Sequence, residues 1–351
     1  MEDDRALRSE LLDDIGDNYY KKVDQGRLKD ASLKAIVRAL HDRFSHYFTP
    51  KETKLFRESV NGEFSGVGMT VHEHKRGLLV VGVFKKTPAQ RAGIRAGDLI
   101  TQVNGASIAG EPSDLSTAKI KGKPGTFVRL TIVTPSHKTR TLRVQRARIA
   151  IPVADGKLVT RAGTKLGVVR LASFTSGAHG AVREQVDRLL RHGARGIVLD
   201  LRGNGGGLLQ EAVLVASVFI EDGPIVSTKG RTKPTRRFDA EGTAIPARVP
   251  VVVLVDKNSA SASEIVTGAL RDRRRATVVG QRTFGKGVFQ EVEPLSNGGA
   301  LDLTVGSYYL PSGVNISNKG IEPQVKARDN PRTPRDEALP VALRVLLANA
   351  K

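Results

Sequence analysis

The segment from Asp256 to Gln290 reads DKNSASASEIVTGALRDRRRATVVGQRTFGKGVFQ and carries the clearest structural signal in the chain. It directly follows an apolar, β-branched run over 249–255, whose length and composition predict a buried strand. A serine-rich turn comes next, followed by apolar residues at helical spacing over 261–273. The segment therefore predicts a strand–turn–helix unit, with a glycine-flanked lysine, Lys286, beyond the helix.

Ser261 lies at the predicted start of this helix. The first N–H groups of a helix have no acceptor within it, and the helix field there is positive, so the position would stabilise an oxyanion. The small alanines beside the serine leave room for a polypeptide backbone. The spacing Ser261-x-x-Glu264 also fits a capping box, in which the serine only caps the helix. Local sequence alone favours the cap.

Lys286 follows Ser261 by 25 residues, and no histidine lies between them. A serine and a lysine in this order are typical of a hydrolase whose general base is the lysine. An ordinary lysine, with a pKa of ~10.4, is charged and cannot accept a proton. Burial in an apolar, glycine-walled site would lower that pKa. The alternative interpretation is a solvated loop lysine.

Other catalytic signatures are missing. The chain has neither G-x-S-x-G nor H-E-x-x-H, and its glycine loop at 203–207 fails G-x-G-x-x-G because Leu208 occupies the third glycine position. The absence of cysteine excludes disulfides, thiolate catalysis and zinc–thiolate sites. The seven histidines are scattered, and each is interpreted as a surface or packing residue.

Length and patterning predict several regions in the 351 residues. We expect an N-terminal helical region at 1–61, a small β-rich module at 62–148, an α/β core at 149–330, and a linker with a closing helix at 331–351. The first region carries amphipathic stripes, and its helical pattern is expected to end at a stop signal, Phe48-Thr49-Pro50. Packing or dimerisation is its default role. The stripes comprise Leu11, Ile15 and Tyr19, and then Leu33, Ile36, Val37, Leu40 and Phe44.

The composition limits the partners. A net charge of +20 suggests binding to nucleic acid or an anionic surface. However, the basic residues are dispersed apart from clusters at 231–237 and 271–275, aromatic residues make up 5% and tryptophan is absent. This pattern favours a soluble basic surface and no nucleic-acid partner. Attraction to an anionic membrane or cell-envelope polymer stays open, as does assembly into a homo-oligomer.

The β-rich module resembles a PDZ domain. Its signature is PAQRAGIRAGDLI at 88–100, preceded by Gly66-Val67-Gly68-Met69, which resembles the loop whose N–H groups capture a peptide's terminal carboxylate. In such a domain the peptide adds as a strand beside an exposed sheet edge. A structural β-module without a ligand is the alternative, which the length of the match disfavours.

The whole chain resembles the carboxy-terminal processing peptidases, also called tail-specific proteases. The resemblance rests on SASASE at 259–264, TFGKGVFQ at 283–290, DLRGNGGGLL at 200–209 and GIEPQV at 320–325. It implies a ClpP/crotonase-like β/α protease core with the PDZ domain inserted before it, and cleavage of proteins near their C-termini. It implies no metal or organic cofactor.

The resemblance also implies roles for residues. Ser261 would be the nucleophile, Lys286 the general base, Gln290 the residue that orients the lysine, and the Ala262 N–H one oxyanion donor. Either Gly206 or Gly207 would supply the second N–H. The family usually has proline where this chain has Gly205, which should loosen the loop. Asp272 also matches a family position, but it lies ~16 Å along the helix from Ser261 and is interpreted as structural.

The expected function is therefore a serine endopeptidase with a Ser–Lys dyad, whose PDZ domain binds the tail of a protein substrate and gates activity. A catalytically inactive PDZ scaffold is the alternative, and a basic surface-binding protein is a third.

No apolar run approaches the ~18 residues of a membrane span, and the acidic, helical N-terminus is not a signal peptide. The resemblance implies an extracytoplasmic location, with an N-terminal signal or anchor removed from this chain.

Overall fold

The computed structural model describes residues 2–23, 32–111, 113–150, 153–242, 244–330, 333 and 335–350. The chain divides into two compact units, Gly62–Ile151 on the one hand and Met1–Asn61 with Pro152–Lys351 on the other. We call them the inserted unit and the main unit. The insertion interrupts the main unit once, so the N-terminal helices and the α/β region share one body.

The elements of the main unit before the insertion are α1 (Glu2–Asn18), α2 (Leu33–Arg38), β1 (His46–Phe48) and α3 (Pro50–Val60). Those of the inserted unit are β2 (Glu63–Gly66), β3 (Met69–His74), β4 (Gly77–Val83), α4 (Pro88–Arg91), β5 (Leu99–Val103), β6 (Ala106–Ser107), α5 (Ser113–Ile120), β7 (Phe127–Val133), β8 (Thr139–Gln145) and β9 (Ala147–Ala150). The main unit then continues with β10 (Ala154–Arg161), β11 (Thr164–Leu171), α6 (Ala178–Arg191), β12 (Ile197–Asp200), α7 (Leu209–Ser217), β13 (Pro224–Gly230), β14 (Arg236–Asp239), β15 (Val251–Val255), α8 (Ala262–Asp272), β16 (Ala276–Gly280), β17 (Val288–Pro294), β18 (Ala300–Tyr309), β19 (Val325–Lys326) and α9 (Ala338–Asn349).

The centre of the main unit is a six-stranded sheet in the order β10-β11-β12-β15-β16-β19. All neighbours pair in parallel except β10 with β11. Strand residues on one face pack with α6, α7 and α8, and those on the other face pack with α9. Burial on both faces explains the unbroken apolar run VVVLV in β15. The result is a three-layer α/β core.

Sheet topology brings two loops together. β12 and β15 are adjacent and parallel, so the glycine loop after β12 and the serine turn after β15 leave the sheet at the same edge. A second sheet, with the order β1-β18-β13-β14 and with β17 paired to β18, carries the loop that contains Lys286. Helix α1 packs on this second sheet through Leu11 and Ile15, against Leu301 and Leu303 of β18.

The inserted unit has its own apolar core, which includes Leu78, Ile100, Val128, Leu130 and Ile132. Its larger sheet has the order β3-β4-β5-β7-β8, with β6 paired to β5, and β2 pairs with β9 separately. Within the described residues, β3 pairs only with β4, so one side of β3 is an open edge of the sheet.

The expected stop at Phe48-Thr49-Pro50 is wrong, because Pro50 begins α3. Proline suits the first turn of a helix, where its missing N–H loses no bond. Thr49 and Glu52 form the bonds of a capping box, with Thr49 N–H to Glu52 at 2.8 Å and Glu52 N–H to Thr49 Oγ1 at 3.4 Å.

The second stripe is also shorter than expected, since α2 ends at Arg38 and leaves Leu40 and Phe44 outside it. Of the 331–351 segment, residues 331, 332, 334 and 351 lie outside the described part.

Candidate active site

Ser261 is the last residue of the turn that connects β15 to α8, and its backbone conformation is uncommon. Its φ is 56° and its ψ is −116°, outside the regions that side chains other than glycine readily adopt. Conformations of this kind cost about 1–3 kcal/mol and persist where surrounding contacts hold them. The Ser261 N–H donates to the Glu264 carboxylate at 2.9 Å, whereas the Glu264 N–H donates to the Ser261 carbonyl oxygen at 2.8 Å. These two bonds hold the helix start.

The glycine loop is fastened to the serine turn by Asn204, which is fully buried. Its side-chain amide donates to the carbonyl of Leu171 at 2.9 Å, and its side-chain oxygen accepts the Gly206 N–H at 2.9 Å. The Asn204 carbonyl accepts bonds from the Ala260 N–H at 3.1 Å and the Ser263 hydroxyl at 2.8 Å. One asparagine therefore connects the two loops that the sheet brings to the same edge.

The two glycines proposed for the oxyanion site differ in their bonding. The Gly206 N–H is occupied by Asn204. Among the described residues, the N–H groups of Gly207 and Ala262 have no acceptor, and both residues line the same cavity as Ser261. Gly206 supports the site by its size instead, since a Cβ there would lie 2.8 Å from both the Ala260 oxygen and the Ser261 Cβ.

Glu264 joins the serine turn to the lysine loop. Its Oε2 accepts the N–H of Ser261 at 2.9 Å and the N–H of Lys286 at 2.9 Å. Its Oε1 accepts the Thr283 hydroxyl at 2.5 Å and the Gly285 N–H at 2.7 Å. Burial raises the pKa of this carboxyl, and the four donors oppose that rise. A single buried side chain thus fixes the backbone of both candidate dyad residues.

The Lys286 amine donates to Gln290 Oε1 at 2.7 Å, so the residue expected to orient the lysine does contact it. Gln290 lies four residues further along, at the start of the ladder between β17 and β18. In the described part of the chain, no hydrogen bond joins the Lys286 amine to the Ser261 hydroxyl. Both residues line one cavity of about 770 Å³, which we call the site cavity.

The surroundings of Lys286 shift the protonation equilibrium of its amine toward the neutral form. Burial lowers the pKa of the amine, and the nearby Arg43 adds to this effect. Negative charges on Asp302, Asp42 and Glu264 act in the opposite direction. The amine also lies 4.9 Å from the centre of the Phe44 ring, a contact that favours the ammonium. Because burial is the largest of these influences, the pKa remains below that of a solvated lysine.

A chain of hydrogen bonds leads from Gln290 to the N-terminal segment before β1. The Gln290 amide donates to Thr304 Oγ1 at 3.1 Å, and the Thr304 N–H donates to Ser45 Oγ at 3.0 Å. The Ser45 hydroxyl donates to Asp42 at 2.7 Å. Thr304 and Ser45 are buried, so the hydrogen bonds between them are shielded from water. The N-terminal region therefore supports the lysine, a role that its amphipathic pattern did not reveal.

Two further residues shape the site. The Tyr308 hydroxyl donates to the Lys286 carbonyl and lies 3.4 Å from the carbonyl oxygen of Ser261. Asp272 has no contact with Ser261, since it pairs with Arg271 at 2.8 Å and accepts the Ser312 N–H at 3.2 Å. Its geometry is that of a structural residue at the far end of α8.

The inserted unit contains the predicted carboxylate-binding loop. Gly66 ends β2 and Met69 begins β3, so the loop proper is Val67-Gly68. Among the described residues, neither the Val67 nor the Gly68 N–H has an acceptor. Gly68 has a φ of 90°, and a Cβ there would lie 2.4 Å from the Thr87 side chain, so only glycine fits. The loop adjoins the open edge of β3.

Models of known protein families match both units of the chain. A PDZ domain model matches residues 65–145, and the model of peptidase family S41 matches 165–327. The chain is 30% identical to the photosystem II D1 C-terminal processing protease, over 98% of this chain and 97% of that one, with a TM-score of 0.60. These matches define the class of PDZ-containing α/β peptidases, and they confirm the predicted fold class.

The chain belongs to peptidase family S41. It is 35% identical over 314 residues to a probable CtpA-like serine protease of Staphylococcus haemolyticus strain JCSC1435, and 37% identical over 313 residues to one of Staphylococcus aureus strain N315. Each alignment covers 89% of this chain and 62% of the relative, so the chain spans about three fifths of the length of these curated relatives.

Among the described residues, no helix combines the length and the apolar character that crossing a bilayer requires.

Proposed function

We propose that the chain is a serine endopeptidase in which Ser261 is the nucleophile and Lys286 the general base. The observation that carries the proposal is the site cavity, which is lined by Ser261, Lys286, Ala262 and Gly207. The N–H groups of Ala262 and Gly207 have no acceptor in the described structure. A nucleophile, a base and two convergent donors are what acyl transfer requires.

The neutral Lys286 amine accepts the Ser261 proton as the serine oxygen attacks the scissile carbonyl carbon. The carbonyl oxygen becomes an oxyanion, which the N–H groups of Ala262 and Gly207 stabilise; one such donor is typically worth roughly 10²–10³ in rate. The ammonium then returns its proton to the departing amine, and the peptide bond breaks. A water molecule, deprotonated by the same amine, hydrolyses the acyl-enzyme and regenerates Ser261.

This mechanism requires the Lys286 amine to reach the Ser261 hydroxyl. Since it is bonded to Gln290 in the structure, a small rearrangement of the lysine side chain accompanies catalysis. A fluorophosphonate probe, which labels activated serines, tests the pairing. We expect labelling of the wild-type chain and no labelling of Ser261→Ala or Lys286→Ala. Labelling that survives Ser261→Ala would place the nucleophile elsewhere.

We further propose that the inserted unit binds the C-terminal tail of a protein substrate and gates the peptidase. The support is the Val67-Gly68 loop, whose N–H groups have no acceptor among the described residues, beside the open edge of β3. The tail would bind as an added strand with its carboxylate at Gly66–Met69. Occupancy of this groove would shift the enzyme toward its active state.

The tail proposal is tested with a disordered reporter protein offered with a free, an amidated or an extended C-terminus. We expect the intact chain to cleave the reporter with the free, unextended C-terminus fastest. Deletion of residues 62–148 should abolish the difference between tails. If the deletion leaves both the rate and the tail preference unchanged, the inserted unit has no role in gating.

An inactive peptide-binding scaffold is the second candidate, and the observation that favours it is the missing hydrogen bond between Ser261 and Lys286 in the described structure. The two candidates differ in one result. A scaffold would bind tail peptides but neither react with the fluorophosphonate nor cleave the reporter.

An extracytoplasmic location is proposed because of the similarity to the D1 C-terminal processing protease and the CtpA-like proteins.

A further inference from the structure

The walls of the site cavity carry more positive than negative charge. One of its acidic residues, Glu291, is already neutralised by Lys233 at 2.7 Å. Two arginines of the lining, Arg57 and Arg236, have exposed side chains and no carboxylate partner among the described residues. The cavity lining therefore includes two arginines that, within the described part of the chain, have no carboxylate partner.

The contrast with neighbouring basic residues shows that this is not a general feature of the basic cluster at 231–237. Arg237, next to Arg236, pairs with Asp239 at 2.6 Å. Arg231 donates to the carbonyl oxygens of Gly16 at 2.6 Å and Tyr19 at 2.9 Å. Of the arginines in this cluster, only Arg236 both lines the cavity and has no partner in the described structure.

The two arginines belong to different walls. Arg57 lies in the last turn of α3, whose Val60 carbonyl accepts the Ser176 N–H at 3.1 Å. This contact ties the end of α3 to the segment beside the glycine loop. Arg236 begins β14, and the turn before it is tied to β17 through Lys233. A polypeptide bound across the cavity therefore meets a guanidinium from the helix and another from the hairpin.

The remaining acidic residue of the cavity does not cancel these charges. The charged groups that affect Asp302 are Lys286 and Asp42, and neither arginine is among them. Arg57 could also serve only to stabilise the C-terminus of α3. That explanation does not extend to Arg236, which begins a strand.

We propose that Arg57 and Arg236 are specificity-determining residues that select substrates with aspartate or glutamate close to the scissile bond. The inference rests on the proposed peptidase function and adds the chemical class of its substrate. Guanidinium groups bind carboxylates with two parallel hydrogen bonds, which lysine cannot reproduce. At this exposed position, each ion pair should contribute about a two- to fivefold gain in kcat/KM, and salt should weaken it.

The test is a position scan. A peptide with one mapped cleavage site is made with aspartate, asparagine or lysine at each position flanking the scissile bond. We expect the ratio of kcat/KM for aspartate over asparagine to reach about two- to fivefold at distinct positions for each arginine. Arg236→Gln and Arg57→Gln should each abolish one of these preferences, and Arg236→Glu should reverse its own in favour of lysine. Arg237→Gln, a matched exposed arginine outside the cavity, should retain both preferences.

The same peptides are also bound to Ser261→Ala, so that the inference has a readout without turnover. Tighter binding of the aspartate peptides, lost in Ser261→Ala combined with Arg57→Gln and Arg236→Gln, supports the inference even if the wild type cleaves none of them. In that event only the peptidase proposal fails. Equal affinity for aspartate and asparagine peptides, or a preference that the arginine substitutions leave intact, overturns the inference while leaving cleavage itself unaffected.

Discussion

Glu264→Gln is the substitution whose effect follows most directly from the structure. The carboxylate accepts four hydrogen bonds, two on each oxygen, from the Ser261 and Lys286 N–H groups and from Thr283 and Gly285. An amide keeps only one acceptor oxygen and turns its NH2 group toward two of these donors. At least two bonds are therefore lost whichever way the amide is oriented.

The magnitude follows from these lost bonds. Leaving a buried donor without a partner costs roughly 1–3 kcal/mol, so two lost bonds correspond to about 2–6 kcal/mol. Part of this is recovered, because burial of the carboxylate is itself unfavourable and raises its pKa. We expect a net loss of about 2–4 kcal/mol in the free energy of unfolding. We also expect kcat to fall roughly 10- to 100-fold, because mispositioning of catalytic groups carries losses of that order.

The assay pairs urea denaturation with peptide cleavage well below the unfolding transition. Glu211→Gln is the matched control, since Glu211 is also buried and accepts the Gly177 and His179 N–H groups at 2.8 and 2.9 Å. None of these three residues lines the site cavity. The control should lose stability but keep its kcat. A Glu264→Gln variant within about 0.5 kcal/mol of wild type and with full kcat would contradict this role of Glu264, as would equal losses of kcat in both variants.

Substitutions at three further positions have expected outcomes. Burial raises the pKa of Asp302 from 3.8 to about 6, so the folded state binds this proton more tightly than the unfolded chain does. The wild type therefore loses stability as the pH rises from 3.8 to about 6. Asp302→Asn should flatten this pH dependence of stability, as measured by denaturation at a series of pH values. Because the charge on Asp302 raises the pKa of Lys286, the same variant should move the acid limb of the kcat/KM profile to lower pH, and an unmoved limb would contradict the coupling. Thr304→Val removes the acceptor of the Gln290 amide and should lower kcat about tenfold with KM unchanged, whereas Thr304→Ser should retain activity. Gly206→Ala, at a φ of 107° and against the serine turn, should destabilise the fold by about 2–4 kcal/mol in thermal unfolding, and a cost below about 1 kcal/mol would contradict the close packing.

Much of the core could be predicted from the sequence because its signals are local. The run VVVLV predicts β15, and the apolar periodicity after Ser261 predicts α8. Parallel neighbours in an α/β sheet then place the glycine loop and the serine turn at one edge. Ser261, Lys286 and Gln290 do lie together around one cavity, although their catalytic roles stay predictions.

The parts that the sequence did not reveal depend on contacts between distant residues. The local spacing predicts only the capping-box role of Glu264, whereas two of its four donors come from residues more than 20 positions away. The link from Asp42 and Ser45 to the lysine crosses more than 240 residues, and amphipathic periodicity cannot report such a contact. The choice between Gly206 and Gly207 likewise depended on which N–H the Asn204 side chain occupies.

The central claim is that Ser261 and Lys286 act as one catalytic unit. Its most direct test is the cleavage of casein, an unstructured protein, by the wild type, Ser261→Ala and Lys286→Ala side by side, with denaturation curves to show that each variant is folded. We expect cleavage by the wild type and none by either variant. Cleavage that persists in folded Ser261→Ala or Lys286→Ala would contradict it.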